Sequence, residues 1–243
     1  MTTTTTAQSS HSRTVQTMFN TITNRYDFLN TLLSCGIDRL WRRRMIRAMR
    51  FFNTNRYLDL ATGTGDIALR VVKHYPGVSV LATDFAQEML DVAHHKIELK
   101  HAQNRITVQW GDALNLNVAD NAFDSTGMAF GIRNITDKLQ VLKEMKRVTV
   151  PGGRIVILEL TQPENVLLKP LYRHYLRTVM PRIARLFTSE AQAYHYLADS
   201  ILNFPDPKTF LALMTKAGIS DVSAIPLSFG TCHLFSGTIE DQP

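Results

Sequence analysis

Cysteine and long apolar runs are scarce in this sequence. Its two cysteines, Cys35 and Cys232, are too few for a disulfide framework or a cysteine-based zinc site. The longest stretch without Asp, Glu, Lys or Arg, residues 222–239, contains proline and glycine and is not typical of a membrane span. The first thirteen residues lack the apolar core of a signal peptide. These features predict a cytoplasmic protein.

The 243 residues carry a net charge of +6, and the positive charge is local. Residues 39–56 contain seven arginines, and residues 166–187 contain five basic residues. Neither stretch contains Asp or Glu. Basic patches of this kind bind nucleic acid, anionic lipid or an acidic substrate. Two solvated helix faces would give the same pattern, so charge alone leaves the partner open.

Short strands alternate with helices from residue 56 onward. This rhythm predicts an α/β protein of Rossmann-like, doubly wound type, with a mostly parallel sheet and an antiparallel edge strand. Strands are predicted at 57–61, 78–82, 106–110, 123–130, 154–160, 222–225 and 232–239, and helices at 66–74, 86–101, 136–148 and 207–217.

The domain organisation follows from the segments that depart from this rhythm. Residues 1–12 form a Thr- and Ser-rich tail that we expect to be disordered. Residues 13–243 then form one domain, with a helical cap at 13–55 and a helical insertion after the fifth strand at 166–204.

The segment LDLATGTGD, residues 58–66, joins the first strand to a helix through Gly63 and Gly65. Glycine in such a turn lets the backbone approach a ligand closely. Asp84 follows 19 residues after Gly65, at the end of the second strand, where an acid commonly holds ribose hydroxyls. Both a dinucleotide and S-adenosylmethionine fit this geometry.

Acids around the turn separate the two cofactors. Asp59 precedes the turn, Asp66 opens the helix, and Asp112 follows the third strand. Carboxylates oppose a pyrophosphate but suit the sulfonium and ammonium groups of S-adenosylmethionine. The pattern therefore favours a class I methyltransferase, although Asp66 as a helix cap and Asp112 as a turn residue are the plainer alternatives.

The absence of two motifs narrows the range of possible methyl acceptors. No Asn/Asp-Pro-Pro-aromatic motif follows the fourth strand, where amine methyltransferases of nucleic acids often carry one, and no cysteine nucleophile lies nearby. The histidines show no metal-ligand spacing. We expect neither a nucleic-acid partner nor a bound metal.

Eight segments, in order along nearly the whole chain, carry a family resemblance. They are RYDFLNTLLSCGIDRLW (25–41), LDLATGTGD (58–66), GDA (111–113), AFGIRNITD (129–137), RVTVPGGR (147–154), MPRI (180–183), YHYLADSI (194–201) and FGTCHLFSG (229–237). With them the chain resembles the UbiE/MenG family of quinone C-methyltransferases. The resemblance implies S-adenosylmethionine as cofactor and a prenylated quinol of menaquinone or ubiquinone biosynthesis as substrate. It places Thr64 in the glycine turn, Asp84 at the ribose, and Asp112 with Ala113 near the adenine.

Methyl transfer to carbon requires an electron-rich ring, so the acceptor is expected to be the reduced quinol. Arg133 and Asn134, just past the fourth strand, are candidates for stabilising its phenolate. His195 is a candidate proton acceptor, and Tyr26 and Asp27 are expected to reach the substrate from the cap.

A polyprenyl quinol resides in the membrane, so we expect the two basic segments to contact an anionic bilayer and make the enzyme peripheral at the inner membrane face. A methyltransferase for another small molecule or RNA, an NAD-dependent oxidoreductase and a non-catalytic scaffold remain alternatives. The choice between naphthoquinol and benzoquinol stays open, and so does a homo-oligomeric state.

Overall fold

A computed structural model of the chain describes residues 31, 34, 36–185 and 191–240. The predicted tail at 1–12 and the two cap residues Tyr26 and Asp27 lie outside this part of the chain. None of the helices that the structure describes is long and apolar enough to cross a bilayer.

A seven-stranded sheet forms the centre of the fold, in the order β3-β2-β1-β4-β5-β7-β6. The strands are β1 (Arg56–Leu60), β2 (Ser79–Asp84), β3 (Ile106–Trp110), β4 (Phe123–Ala129), β5 (Thr149–Leu160), β6 (Ser220–Leu227) and β7 (Cys232–Thr238). The first five strands pair in parallel, and β7 runs antiparallel between β5 and β6. The predicted parallel sheet with an antiparallel edge is confirmed.

Helices cover both faces of this sheet. They are α1 (Asp38–Arg47), α2 (Asp66–His74), α3 (Gln87–Leu99), α4 (Lys138–Val148), α5 (Leu168–His174), α6 (Met180–Arg185), α7 (Ala191–Leu202) and α8 (Pro207–Lys216). A π-helical turn at Tyr175–Val179 links α5 to α6, and short 3-10 turns follow β4 at Ile132–Asn134 and β6 at Ser228–Gly230.

Each face of the sheet has its own apolar core. Apolar residues three and four apart turn one side of α1, α2 and α3 towards the first face, where Met45 and Val71 are fully buried. The same periodicity in α4 and α8 buries Leu142 and Phe210 on the other face. The helices after β5 add a small third core around Leu176. Both faces are thus sealed, and the strand ends are left for ligands.

The predicted fifth strand, 154–160, begins after the Pro151-Gly152-Gly153 segment, but the structure differs. That segment lies inside β5, which begins at Thr149. The register of β4 against β5 shifts between Phe123 and Ser125, so the extra residues form a bulge. Gly152 has a φ of 72° and its N–H bonds to the Ile239 carbonyl at 2.7 Å. The predicted strand start at 154 is therefore wrong, because the bulge keeps the segment paired.

A buried carboxylate fixes the connection between α1 and β1. Asp124 on β4 accepts four backbone N–H groups, from Phe52, Asn53, Thr54 and Asn55, at 2.8–3.1 Å. Burial alone would raise the pKa of Asp124, but these hydrogen bonds outweigh burial and hold the pKa below its ordinary value. Asp124 thereby anchors the cap helix to the sheet.

We predict that Asp124→Asn destabilises the fold by about 2 kcal/mol at neutral pH, because an amide oxygen replaces a charged acceptor of four N–H groups. The stabilisation from a lowered carboxyl pKa is present above the unfolded-state value of about 3.9 and is lost as pH falls through the folded-state pKa. Chemical unfolding across pH should show the gap between variant and wild type closing below about pH 4. A gap independent of pH would contradict this assignment.

Candidate active site

A cavity opens where the carboxyl ends of β1, β2, β3 and β4 meet. Its walls come from the turns that follow these four parallel strands, as expected for an open α/β sheet. The lining residues are Ala61, Gly63, Thr83, Asp84, Phe85, Ala86, Met89, Trp110, Gly111, Asp112, Ala113, Leu114, Ala129, Phe130, Gly131, Asn134, Ile135 and Thr136.

The glycine turn after β1 forms one side of the cavity. Gly63 and Gly65 have φ angles of 56° and 78°, in the left-handed region that glycine adopts without strain. A Cβ on Gly65 would lie 3.2 Å from the Ala93 Cβ, so α2 and α3 also require a glycine here. Thr64 is buried and its hydroxyl accepts a hydrogen bond from the Lys96 ammonium at 3.0 Å. Of these predicted residues, Gly63 lines the cavity, and Thr64 and Gly65 shape the turn from behind.

Asp84 connects this turn to the next one. One carboxylate oxygen accepts the N–H of Gly63 at 2.8 Å and the other accepts the N–H of Ala86 at 3.0 Å. Burial raises the pKa of Asp84, while these backbone hydrogen bonds oppose the shift. The side chain lines the cavity, at the position from which an acid can accept ribose hydroxyls.

The carboxylates of the other two acids near the turn, Asp59 and Asp66, bind groups of the protein itself. Asp59 is buried beneath the turn, where it accepts the Thr62 hydroxyl at 2.6 Å, and it does not line the cavity. Burial raises the pKa of Asp59 to about 7, although the Thr62 hydrogen bond and the charge of Arg42 lower it. Asp59 therefore supports the turn rather than contacting a cofactor directly.

Asp66 also faces away from the cavity. Its carboxylate pairs with Arg70 at 2.9 Å and lies 3.4 Å from the Nε of Arg42. Burial opposes ionisation of Asp66, but the two arginines hold its pKa below the ordinary value. Arg42 also lies 3.5 Å from Asp38, and its guanidinium carbon is 5.1 Å from the centre of the Phe130 ring. The cap helix α1 thus reaches both the helix after the turn and the cavity wall.

The turn after β3 forms the opposite side of the cavity. Asp112, Ala113 and Leu114 line it, and the Asp112 carboxylate accepts the Leu114 N–H at 2.9 Å. The Trp110 indole N–H bonds to the Phe85 carbonyl at 3.0 Å. Sequence analysis did not single out Phe85 or Trp110, although their positions at two strand ends were a usable signal.

The charge of the cavity distinguishes between cofactors. Among the described residues that line it, the charged side chains are Asp84 and Asp112, and both are acids. A pyrophosphate would meet two carboxylates there without a cationic partner in the lining. S-adenosylmethionine is positively charged at sulfur and nitrogen and has no phosphate, so the lining fits it.

The side of the cavity that the sequence predicts to face the methyl acceptor lies past β4. Asn134 lines the cavity and its Oδ1 accepts the Tyr196 hydroxyl at 3.3 Å. Arg133 is buried and forms an ion pair with the buried Glu159 at 2.8 Å, and it also donates to the Phe130 carbonyl. Arg133 therefore pairs with a core acid, and sequence analysis missed Glu159 because it lies 26 residues away on β5.

His195 does not join this group. It lies on α7 with an exposed side chain and does not line the cavity, whereas the neighbouring Tyr196 turns inward to Asn134. Successive helix residues point about 100° apart, so one residue of offset decides which side chain reaches the site. The structure gives no support to His195 as the proton acceptor.

The fold and this cavity define a class I S-adenosylmethionine-dependent methyltransferase. A solved S-adenosylmethionine-dependent methyltransferase from Aquifex aeolicus superposes with a TM-score of 0.59 over 82% of this chain and 89% of that chain, at 18% identity. This likeness establishes the shared fold.

The chain belongs to the ubiE/COQ5 methyltransferase family, whose model matches residues 6–239. It is 43% identical to the ubiquinone/menaquinone biosynthesis C-methyltransferase UbiE of Geotalea daltonii, covering 92% of this chain and 95% of that protein. It is 41% identical to the demethylmenaquinone methyltransferase of Deinococcus radiodurans, covering 92% and 91% respectively.

We predict that Asp84→Ala weakens S-adenosylmethionine binding by about 10- to 150-fold, because charge-assisted hydrogen bonds worth about 1.5–3 kcal/mol are lost. Calorimetric titration measures the affinity. The matched control is Asp91→Ala, which removes an exposed carboxylate on α3 outside the cavity. An unchanged affinity in a folded Asp84 variant would contradict the assignment of Asp84 to the ribose hydroxyls.

Proposed function

We propose that the protein methylates a ring carbon of a prenylated quinol with S-adenosylmethionine, in menaquinone biosynthesis, ubiquinone biosynthesis or both. The observation that carries the proposal is the cavity whose two charged lining residues, Asp84 and Asp112, are acids. The names of the relatives, at 41–43% identity over almost the whole chain, support the quinone acceptor.

The residues present fit the cofactor. Asp84 would hold the ribose, Asp112 and Ala113 would contact the adenine, and the Gly63 backbone gives the ligand close access to the turn. When bound, S-adenosylmethionine supplies an electrophilic methyl group on a sulfonium. The apolar walls, which include Met89 and Leu114, exclude water from that cation.

The acceptor must provide the electron pair for the new carbon–carbon bond. A quinone ring is electrophilic, whereas the ring carbon beside a quinol hydroxyl is nucleophilic, and more so as the phenolate. The ring carbon would take the methyl group as the sulfur–methyl bond breaks, which leaves neutral S-adenosylhomocysteine, and loss of the proton on that carbon to water would restore aromaticity. The protein's tasks are therefore alignment, stabilisation of phenolate oxygen and exclusion of water.

We assign the second task, stabilisation of phenolate oxygen, to Arg133 and Asn134. Glu159 and the Phe130 carbonyl hold the Arg133 guanidinium in a buried position behind the cavity lining. Because Glu159 compensates much of its charge, the oriented Arg133–Glu159 ion pair, with little solvent screening, would stabilise developing phenolate. The Asn134 side chain lines the cavity. Burial raises the pKa of Tyr172 and Tyr196 above the ordinary value, against the charge of Arg133. Both phenols stay protonated at neutral pH and can act as hydrogen-bond donors.

We expect turnover of the reduced acceptor only. Demethylmenaquinol and the corresponding demethylated benzoquinol, assayed side by side with labelled S-adenosylmethionine, would identify the ring that is used. The same compounds in the oxidised form, with reductant removed, should give no product because their rings lack the nucleophilic carbon. Equal turnover of oxidised quinone would refute this mechanism.

Replacing Arg133 tests the acceptor side separately from the donor side. Arg133→Gln should lower kcat by about 100-fold, a typical cost of removing one group that stabilises developing negative charge. The affinity for S-adenosylmethionine should stay near wild type because Arg133 does not line the cavity wall. Glu159→Gln, which keeps the arginine but removes its partner, should give a smaller loss. A parallel loss of cofactor affinity in Arg133→Gln would show a general structural role instead.

A further inference from the structure

Three segments meet beside the first residues of β7. They are α1, the turn at Ser228–Gly230 and the residues between β5 and α5. The Trp41 indole N–H of α1 donates to the Ser228 hydroxyl at 2.9 Å, which ties α1 to the turn at Ser228–Gly230. The Thr161 hydroxyl donates to the Gly230 carbonyl at 2.9 Å, and a Cβ on Gly230 would lie 3.4 Å from the Pro163 Cα. The turn is thus packed between α1 and the segment that leads into α5.

Large apolar side chains on these three segments point into solvent. We call them the apolar rim, and their exposed fractions run from 59% to 85%. The rim consists of Leu40 on α1, Phe229 in the turn, and Val166, Leu167 and Leu171 before and within α5. Clustered exposed apolar residues of this size mark an interaction surface rather than ordinary surface scatter.

The backbone of the turn favours the same conclusion. Ser228, Phe229 and Gly230 all have left-handed conformations, with φ angles of 45°, 60° and 86°. An aromatic residue rarely adopts this conformation, which is strained for any residue with a Cβ. The Phe229 ring is the most exposed of the rim, at 85%, so no internal packing of the ring offsets that strain. The strain holds an apolar ring outward.

Cations surround the rim. On α1, Arg43, Arg44 and Arg47 follow Leu40 at spacings of three, four and seven, so they share its exposed face. The segment from α5 into the π-helical turn carries three cations at intervals of four residues, Lys169, Arg173 and Arg177. None of these six cations forms an ion pair with an acid in the described part of the chain.

Arg42 must be removed from the set of cations predicted to face a membrane. It is buried and lies against Asp38 and Asp66, so its charge is already compensated within the protein. Glu164 lies two residues before the second basic stretch, residues 166–187, which itself contains no acid. The exposed charge around the rim therefore remains strongly positive.

We propose that the apolar rim and its six cations form the surface that docks the protein on an anionic bilayer. Apolar side chains enter the boundary between headgroups and acyl chains, and the cations contact the lipid phosphates. Anionic lipid suits the rim better than a second copy of the chain, because two copies facing each other would bring like charges together.

The position of α5 connects this surface with the acceptor, and this step rests on the proposed function. Leu171 on α5 is exposed, whereas its neighbour Tyr172 packs with Leu160 against the third core, and Leu160 follows Glu159, the partner of Arg133. One side of the helix thus belongs to the rim and the other to the acceptor region. A lipid quinol would pass along α5 from the bilayer towards Arg133.

Vesicle co-sedimentation tests the docking surface without any substrate. The apolar variant combines Leu167→Ser with Phe229→Asn, since asparagine tolerates the left-handed conformation. The charge variant combines Arg43→Gln with Arg44→Gln. The matched control combines Leu99→Ser with Lys100→Gln, which removes an apolar residue of 64% exposure and a cation at the end of α3, beside the opposite sheet edge.

We expect wild type and control to bind phosphatidylglycerol-containing vesicles, with binding that weakens as salt rises. The apolar variant should bind about tenfold more weakly or worse, and the charge variant about tenfold more weakly. Equal binding of all four proteins, or binding indifferent to anionic lipid, would overturn the proposal. Loss of a dimer in the apolar variant, with vesicle binding unchanged, would assign the rim to a second copy and overturn it as well.

An activity assay separates this proposal from the proposed function. Both rim variants should methylate a water-soluble, short-tailed quinol at the wild-type rate and lose activity on a long-tailed quinol embedded in anionic vesicles. If wild type methylates neither quinol yet the rim variants lose vesicle binding, the function fails and the docking surface stands. If the variants turn over the embedded quinol as fast as wild type, the docking surface fails and the function stands.

Discussion

The Asp84 carboxylate determines the shape of the cofactor site. It receives the N–H of Gly63 from the turn after β1 and the N–H of Ala86 from the turn after β2. These two turns belong to different β–α units, and without a shared acceptor each would carry an unpaired buried N–H group. Asp84 therefore does two things at once: it closes the backbone around the cavity and presents negative charge to it. Asp59 lies beneath the same turn and supports it by accepting a hydrogen bond from the Thr62 hydroxyl.

Carboxylates near the turn differ in what balances their charge. Asp66 is balanced by Arg70 and Arg42, whereas burial raises the pKa of Asp59 to about 7 and so opposes its negative charge. Only Asp84 and Asp112 are left facing the cavity among the lining residues described. A group of six cations without an acidic partner among the described residues lies elsewhere, around the apolar rim. The molecule thus separates an acidic cofactor cavity from a basic outer surface.

Local patterns allowed most of the fold to be predicted. Alternating strand and helix periods, glycine at positions that need positive φ, and acids at strand ends depend on nearby residues, and the sequence displays them directly. Gly63, Asp84, Asp112 and Ala113 lie in the lining for this reason. The continuation of β5 through Gly152 was missed because the pairing partner, Ile239, is remote in sequence.

The partners of charged residues could not be predicted in the same way. Arg133 and Glu159 are 26 residues apart, and Arg42 and Asp66 are 24 apart, so no short-range pattern links them. In the helices after β5, the sequence did not show which side of each helix faces inward, so His195 was named as a candidate and Tyr196 was not. Packing between elements decides that orientation.

The position of Arg42 limits how this protein can be shortened. Helix α1 contributes no residue to the described cavity lining, so a truncation that begins at β1 would keep every lining side chain. Such a fragment would lose the guanidinium that lies against Asp66 and lowers the pKa of Asp59 and Asp66. It would also lose the cation packed on the Phe130 ring. The smallest fragment that retains a working cofactor turn therefore begins before α1, well upstream of the first strand of the Rossmann-like core.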